Sequence, residues 1–526
     1  WLKGQRGGAP GCGLDRTCVV VSSSASQMEP STRRVVTICL FTSLGCFLFG
    51  LDMGYIGPIM TDGKFKRDVP HVADWEDPHS KIDPVKAGFI VSVFAIGSMV
   101  TASPIVSGYL LDYLGRKVSL LIGCVFFMSG CLTQVVASSV NVMVFGRFIA
   151  GCSIGIMSTA VPLYQSELAP PHLRGVLGAI SQGMIGFGVL VGVFTDMLVL
   201  PWEDGWRWGV LLPSVPCVVL FVGLFFCPRS PRWLVQRGRQ DAALDVLKRI
   251  RNTEADAEAE LAEILLEVEV TTASGRTSCK DLCSGRVARL LAVGVALQAL
   301  QQLSGCQTFL SFGPAIFVSL GLDPALWQTL LAVLWFLATI PAMLAIEYLG
   351  RRPLLLWGAV GMLVPTCTMG VLGSMYTHIE NGQIHLHSEA AGKVIVACVF
   401  IFGFCFSCGW GATTWIYCAE IFPLKVRGRC LGMTTMAEWF GVFIVNQMTP
   451  ILLNSIGFYH FFILGGFSFA AVLLSHWLPE TKGIHLESMD QVWDDRFRKP
   501  SKNADLSTST GSSSSGEDSS DVSADC

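Results

Sequence analysis

The sequence predicts an all-α membrane protein of twelve transmembrane helices, arranged as two pseudo-symmetric six-helix halves with a helical linker between them. Three observations lead there. Of 526 residues, 51% are hydrophobic and 15% charged, and the mean hydropathy is +0.53, too apolar for a chain that folds in water. Twelve runs reach the roughly 20 residues needed to cross a bilayer. The words that end two of these runs also recur: Leu-Leu-Asp-Tyr-Leu-Gly-Arg-Lys at Leu110 to Lys117, and Ala-Ile-Glu-Tyr-Leu-Gly-Arg-Arg at Ala345 to Arg352. A second pair repeats, Tyr164-x-x-Glu167 with Arg174-Gly175 and Tyr417-x-x-Glu420 with Arg427-Gly428, seven residues from Glu to Arg in each. Such repeats indicate homologous halves facing a midplane site, the architecture of secondary transporters.

Residues 1–34 form a polar tail, expected to be disordered and cytosolic. It lacks an apolar core followed by a cleavage site, so no signal peptide is expected; the chain opens on Trp1, and Met28 is the expected start. The first half, 35–228, holds the runs Val35–Met60, Ala87–Leu111, Val118–Ser138, Val140–Pro162, Val176–Leu200 and Trp208–Cys227. The charged linker, 229–286, places Ala243, Leu244, Leu247 and Ile250, then Leu261, Ile264, Leu265 and Val268, at helical spacing. These amphipathic helices are expected against the cytosolic face, tying the halves together. The second half, 287–478, holds Val287–Leu320, Leu326–Ile346, Pro353–Met375, Val394–Ala419, Cys430–Leu453 and Phe458–Leu478. The tail, 479–526, is Ser-rich and acidic from Ser507 to Ser523 and is expected to be disordered.

Lys and Arg collect in alternate short loops, on the same side as Arg33, Arg34 and the linker, which predicts that both termini are cytoplasmic. The net charge of −3 and the absence of a basic patch with interleaved aromatics exclude a nucleic-acid partner. Most of the nineteen cysteines sit singly in apolar runs as small hydrophobes. Cys279 and Cys283 have no second Cys/His pair nearby, so no metal site is expected. Without a nucleophile, metal or phosphate-loop motif, neither an enzyme nor a cofactor is expected.

The words Gly-Arg-Lys at 115–117, Gly-Arg-Arg at 350–352, Pro-Arg-Ser-Pro-Arg-Trp-Leu at 228–234, Gln-Gln-Leu-Ser-Gly at 301–305, Glu-Ile-Phe-Pro at 420–423 and Pro-Glu-Thr-Lys-Gly at 479–483 carry a resemblance. In order and spacing, from about Val35 to Gly483, the chain resembles the sugar porter family of the major facilitator superfamily. The resemblance implies the major facilitator fold, a monosaccharide or polyol substrate with a hexose foremost, alternating access, and a carrier acting as a monomer in the plasma membrane. Charged residues at the helix ends are read as a cytosolic gate that loosens when that side opens: Asp112 and Glu347 beside Arg116 and Arg351, Glu167 with Arg174, Glu420 with Arg427, and Arg232 of the Pro-Arg-Ser-Pro-Arg word.

A sugar hydroxyl both donates and accepts, so a sugar pocket calls for amides and for aromatic faces. Gln182, Gln298, Gln301, Gln302 and Gln307 are amides at membrane depth, where polar groups mark function. Gln298, Gln301 and Gln302 fall within one broad helical face, and Gln307 lies beyond Gly305, which can unwind the helix. The resemblance assigns Gln182, Gln301, Gln302, Trp415 and Trp439 to sugar binding. The chain departs from the family at Gln307, Trp335 and Glu438, where Asn is usual, at Ser407 and Arg229, where Glu is usual, and at Ala412, where Pro is usual. Trp335 exchanges hydrogen bonds for ring area. Glu438 costs about 3 kcal/mol in an apolar run unless paired, protonated or wet.

Asp52 and Arg147 each need a partner in lipid. In proton-coupled relatives, the resemblance implies, an Asp here titrates against this Arg. The favoured reading is therefore sugar:proton symport. One rival is a proton-independent uniporter, in which the pair is permanent. The other is a non-transporting sugar sensor, which Arg229 alone favours.

Overall fold

A computed structural model describes residues 29–77, 80–170, 173–273, 282, 285–380, 383–423, 426–483, 492, 493, 496 and 497. The tail before residue 29, Cys279, Cys283 and the Ser507 to Ser523 stretch lie outside them. Contacts divide the chain into units 1–482 and 483–526. The second contributes Trp493 and Phe497, whose rings stack at 5.3 Å.

The first unit contains the twelve expected spans, in order Pro30–Thr61, Pro84–Ala102, Arg116–Val135, Val140–Leu168, Arg174–Val199, Gly205–Leu224, Gly285–Ser319, Pro324–Leu349, Arg351–Tyr376, Glu389–Ile421, Arg427–Ile456 and His460–Trp477. The fourth runs past Pro162 to Leu168, and the eleventh is longer than expected at both ends. The second breaks at Ser103, where the ring of Pro104 ends the helix, and resumes as Pro104–Gly108 followed by a π-helical turn, Tyr109–Leu114. One element departs from the all-helical expectation: after the ninth span, Thr377–Glu380 pairs antiparallel with Gln383–Leu386, Thr377 opposite Leu386.

Small residues let the spans touch backbone to backbone. A Cβ on Gly50 of the first span would lie 2.0 Å from the Ile185 carbonyl of the fifth, and one on Gly188 would lie 2.2 Å from the Phe47 carbonyl. Among the described residues, spans before and after the linker meet chiefly second with eleventh, fifth with eighth, and first with seventh. At the first seam the Ser92 hydroxyl donates to Gln447 Oε1 at 3.1 Å.

The linker forms helices Pro231–Gln236, Gln240–Ile250 and Glu254–Ala273. Leu247, Ile250 and Ala257 join a core built mostly from the spans that precede the linker, with Leu261 and Ile264 packed against it. Arg251 donates to the Leu168 carbonyl at 3.1 Å and pairs with Glu260. The apolar stripe finds cover beside the end of the fourth span.

Candidate functional site

Asp52 and Arg147 come together at the centre of the first six spans, both side chains fully buried. Arg147 Nη1 lies 3.0 Å from each carboxylate oxygen. The Tyr55 hydroxyl, three residues along the same helix, donates to Asp52 Oδ1 at 2.7 Å and accepts from Arg147 Nη1 at 2.9 Å. Gln134 Oε1 stands 3.2 Å from that hydroxyl. The guanidinium carbon sits 4.9 Å over the Phe94 ring, a cation–π contact. Phe94 meets Trp439 of the eleventh span edge-on at 5.7 Å, and Trp439 also packs on Phe49 at 5.2 Å. One aromatic ring therefore touches both the buried charge pair and an expected sugar-binding residue. Sequence reasoning missed Tyr55, Gln134 and Phe94. For Tyr55 the i, i+3 spacing from Asp52 was the available signal.

The amides cluster around the break in the seventh span, where Gly305 takes φ 104° between the helices Gly285–Leu303 and Cys306–Ser319. Positive φ is the region glycine enters without strain. Gln302 is the hub: its Nε2 donates to Glu438 Oε1 at 3.2 Å, and its Oε1 accepts from Cys306 Sγ at 3.0 Å and from Gln307 Nε2 at 3.4 Å. Gln301 turns to another partner. Its Nε2 donates to the Trp410 and Gly411 carbonyls, each at 3.0 Å, in the π-helical turn Phe406–Gly411 of the tenth span. A π turn displaces carbonyls from the regular ladder, and Gln301 satisfies them. The broad face expected for Gln298, Gln301 and Gln302 is thus divided between the tenth and eleventh spans. Gln298 and Gln301 each retain a buried Oε1 without a hydrogen-bond partner.

Trp335 lies against Phe406 at 5.6 Å, and a Cβ on Gly403 would fall 1.9 Å from its Nε1. It packs between the eighth and tenth spans with the indole N–H buried and unbonded. Trp415 and Gln182 are part-exposed on the tenth and fifth spans. The Trp439 N–H is buried and unbonded.

At the linker side, the expected gate residues form two clusters of the same design, each within one set of six spans. Arg116 Nη2 lies 2.6 Å from Glu167 Oε1, its Nη1 donates to the Leu111 carbonyl at 2.9 Å, and Ser230 donates to Glu167 Oε2. Arg351 Nη2 lies 2.8 Å from Glu420 Oε1, its Nη1 donates to the Ile346 carbonyl at 3.2 Å, and Thr481 donates to Glu420 Oε2 at 2.6 Å. Tyr164 and Tyr417 donate to the Pro228 and Pro479 carbonyls. The described ion pairs join Glu167 to Arg116 and Glu420 to Arg351, partners the expected pairing did not name. Gly115 and Gly350, at φ 88° and 93°, turn each arginine back beneath the neighbouring span, a reversal that residue spacing does not reveal.

The remaining gate residues are placed as follows. Arg427 donates to the Phe422 carbonyl at 3.1 Å, Arg232 pairs with Glu267 inside the linker, and Asp112 is exposed, 3.8 Å from Arg116. The side chains of Arg174 and Glu347 lie outside the described residues. The clusters differ at one position. Glu480 accepts from the backbone N–H groups of Arg351 and Arg352, at 2.9 and 3.0 Å, capping the ninth span, whereas Arg229 holds the equivalent place beside Ser230 and lies over the Trp233 ring. Ser230, Thr481 and Glu480 were not expected as members.

A family model described as sugar (and other) transporter matches residues 38–493. The low-affinity glucose transporter of Saccharomyces cerevisiae is 31% identical over 496 residues, covering 89% of this chain and 85% of that protein. The galactose-proton symporter of Escherichia coli is 33% identical over 460 residues, covering 86% and 93%. Among solved structures, a proton:xylose symporter of the major facilitator superfamily bound to 6-bromo-6-deoxy-D-glucose matches with TM-score 0.71 at 25% identity, over 87% of this chain and 99% of that one. The inward-open xylose transporter from Escherichia coli matches with TM-score 0.70 at 24% identity, over 87% and 100%.

Proposed function

The chain belongs to the sugar (and other) transporter family, and we propose that it carries a hexose across the membrane by alternating access, one proton moving with each sugar. The hexose reading is supported by relatives named for glucose and galactose and by the amides gathered around Gln302. Coupling to a proton rests on one observation above others, the Phe94 ring that touches both Arg147 and Trp439.

The cycle follows from the charges. With Asp52 ionised, Arg147 is held by its carboxylate and the first and fourth spans are locked. Protonation removes the attraction, frees the guanidinium to move on Phe94, and lets the ring shift against Trp439 at the sugar site. A sugar that binds the protonated arrangement better draws the proton across with it. The drive available is about 2.3 kcal/mol per charge for each 100 mV, roughly a fifty-fold concentration ratio. The two arginine–glutamate clusters hold the linker side of each half, 35–228 and 287–478, and must loosen when that side opens. We assign that side to the cytoplasm, with both termini there, and place the protein in the plasma membrane as a working monomer.

Each cluster ion is met by a charge-assisted bond worth about 1.5–3 kcal/mol. Glu420→Gln is therefore expected to lower maximal uptake at least tenfold with the sugar KM changed less than threefold, measured as initial rates in vesicles. An unchanged maximal rate would remove Glu420 from the gate. The reading as a whole is tested by uptake of labelled hexoses, pentoses and polyols into reconstituted vesicles with and without an inward acid gradient. Acid-driven accumulation of a hexose is the expected result; uptake that only equilibrates means a uniporter, and binding without flux means a sensor.

A further inference from the structure

Asp52, Glu167 and Glu420 each lie against an arginine; Glu438 meets none among the described residues. It stands in the middle of the eleventh span, 5% exposed, and its neighbours are neutral. Oε1 accepts the Gln302 amide at 3.2 Å, and Oε2 is buried with no hydrogen-bond partner. The titratable groups facing it are the thiols of Cys306 from the seventh span and Cys418 from the tenth. The second span, packed along the same helix, brings Lys86 near its start; the seventh brings Arg286 and Arg289 and the tenth Glu420 at their linker-side ends, and the twelfth brings His460 and His476 at its two ends.

A carboxylate without a cation beside it is the costlier form of the group in such surroundings. The bonding also suits the acid: an amide N–H given to Oε1 treats that atom as the carbonyl of a carboxyl group, which leaves Oε2 as the hydroxyl, a donor with nothing to donate to. That donor sits one hydrogen bond from Gln302, the hub of the amide cluster.

We propose that Glu438 is a proton-gated specificity residue, whose neutral carboxyl group donates its Oε2–H to a hydroxyl of the sugar. Ionisation removes the donor and leaves a buried anion in its place, so the protein binds sugar only with Glu438 protonated. This proton is distinct from the one on Asp52: it is required for recognition, and it selects a substrate with an accepting hydroxyl at that point. The inference rests on the sugar-carrier reading above.

The test is sugar counterflow at equal pH on both sides, from pH 5.5 to 8.5, which needs no gradient and no net proton movement. In the unaltered protein the counterflow KM is expected to rise with pH, by about tenfold per unit above the carboxyl group's own pKa. The rise is expected to persist in Asp52→Asn, where the first span no longer titrates, and to vanish when Glu438→Gln is added to Asp52→Asn, because that amide donates at every pH. A flat or falling KM in the unaltered protein overturns the proposal without recourse to any variant. So does a rise that Asp52→Asn abolishes or that the double variant Asp52→Asn with Glu438→Gln retains. Absence of exchange for every sugar at every pH instead defeats the carrier reading, and this inference with it.

Discussion

Asp52→Asn is expected to abolish accumulation of sugar against a gradient while leaving exchange of internal for external sugar within about threefold of the unaltered rate. The amide keeps the shape of the carboxyl group and still accepts from Tyr55 and Arg147, which stand at 2.7 and 3.0 Å from Asp52 Oδ1, so the first and fourth spans remain tied. What it loses is titration. With no proton to gain or release, nothing connects the acid gradient to the position of Arg147, and the roughly fifty-fold concentrating power available per 100 mV disappears. Removing the partner instead is a harsher change. Arg147→Ala strands a carboxylate at a fully buried position, at a cost of about 3–5 kcal/mol, and is expected to lower expression as well as uptake. The two variants thus separate coupling from structure. Equal loss of accumulation and exchange in Asp52→Asn, in a protein that still folds, removes the proton role from Asp52.

The second large effect is at Gln302. Its amide joins Glu438, Cys306 and Gln307, and under the proposed function it also serves the sugar. Replacing it with Ala withdraws both donor and acceptor from a buried polar cluster, each unmade bond costing about 1–3 kcal/mol. Gln302→Ala is expected to raise the sugar KM by at least tenfold with thermal stability lowered by only a few degrees, measured by uptake kinetics and by melting in detergent. Unchanged affinity places the sugar elsewhere in the bundle. Gln301→Ala is a useful contrast, because its amide is committed to the Trp410 and Gly411 carbonyls; its loss unfastens the seventh span from the tenth.

The twelve spans were legible because membrane length and apolarity are local properties, and the two sets of six were legible because the repeated words survive in order. The Asp52–Arg147 pair was legible for a related reason: an isolated charge in lipid demands a partner, and few were on offer. The arrangement of the clusters was not. Arg116 and Arg351 reach Glu167 and Glu420 only because a glycine at positive φ reverses the chain, and residue spacing alone favoured Arg174 and Arg427. The division of the seventh-span glutamines escaped for a different reason. A helical wheel places Gln301 beside Gln302, but the π-helical turn at Phe406–Gly411 creates the carbonyls that capture Gln301, and that turn has no period of its own in the sequence. Trp335 shows the same limit, because whether a ring lines a cavity or fills the seam beside Gly403 depends on a neighbouring span.

The central claim is that sugar and proton cross together through Asp52. The most direct measurement is the pH of a weakly buffered suspension of vesicles bearing the protein, with no gradient imposed, when sugar is added outside. Transient alkalinisation of the medium on sugar entry, absent in Asp52→Asn, is the predicted result; sugar entry with no movement of protons contradicts it.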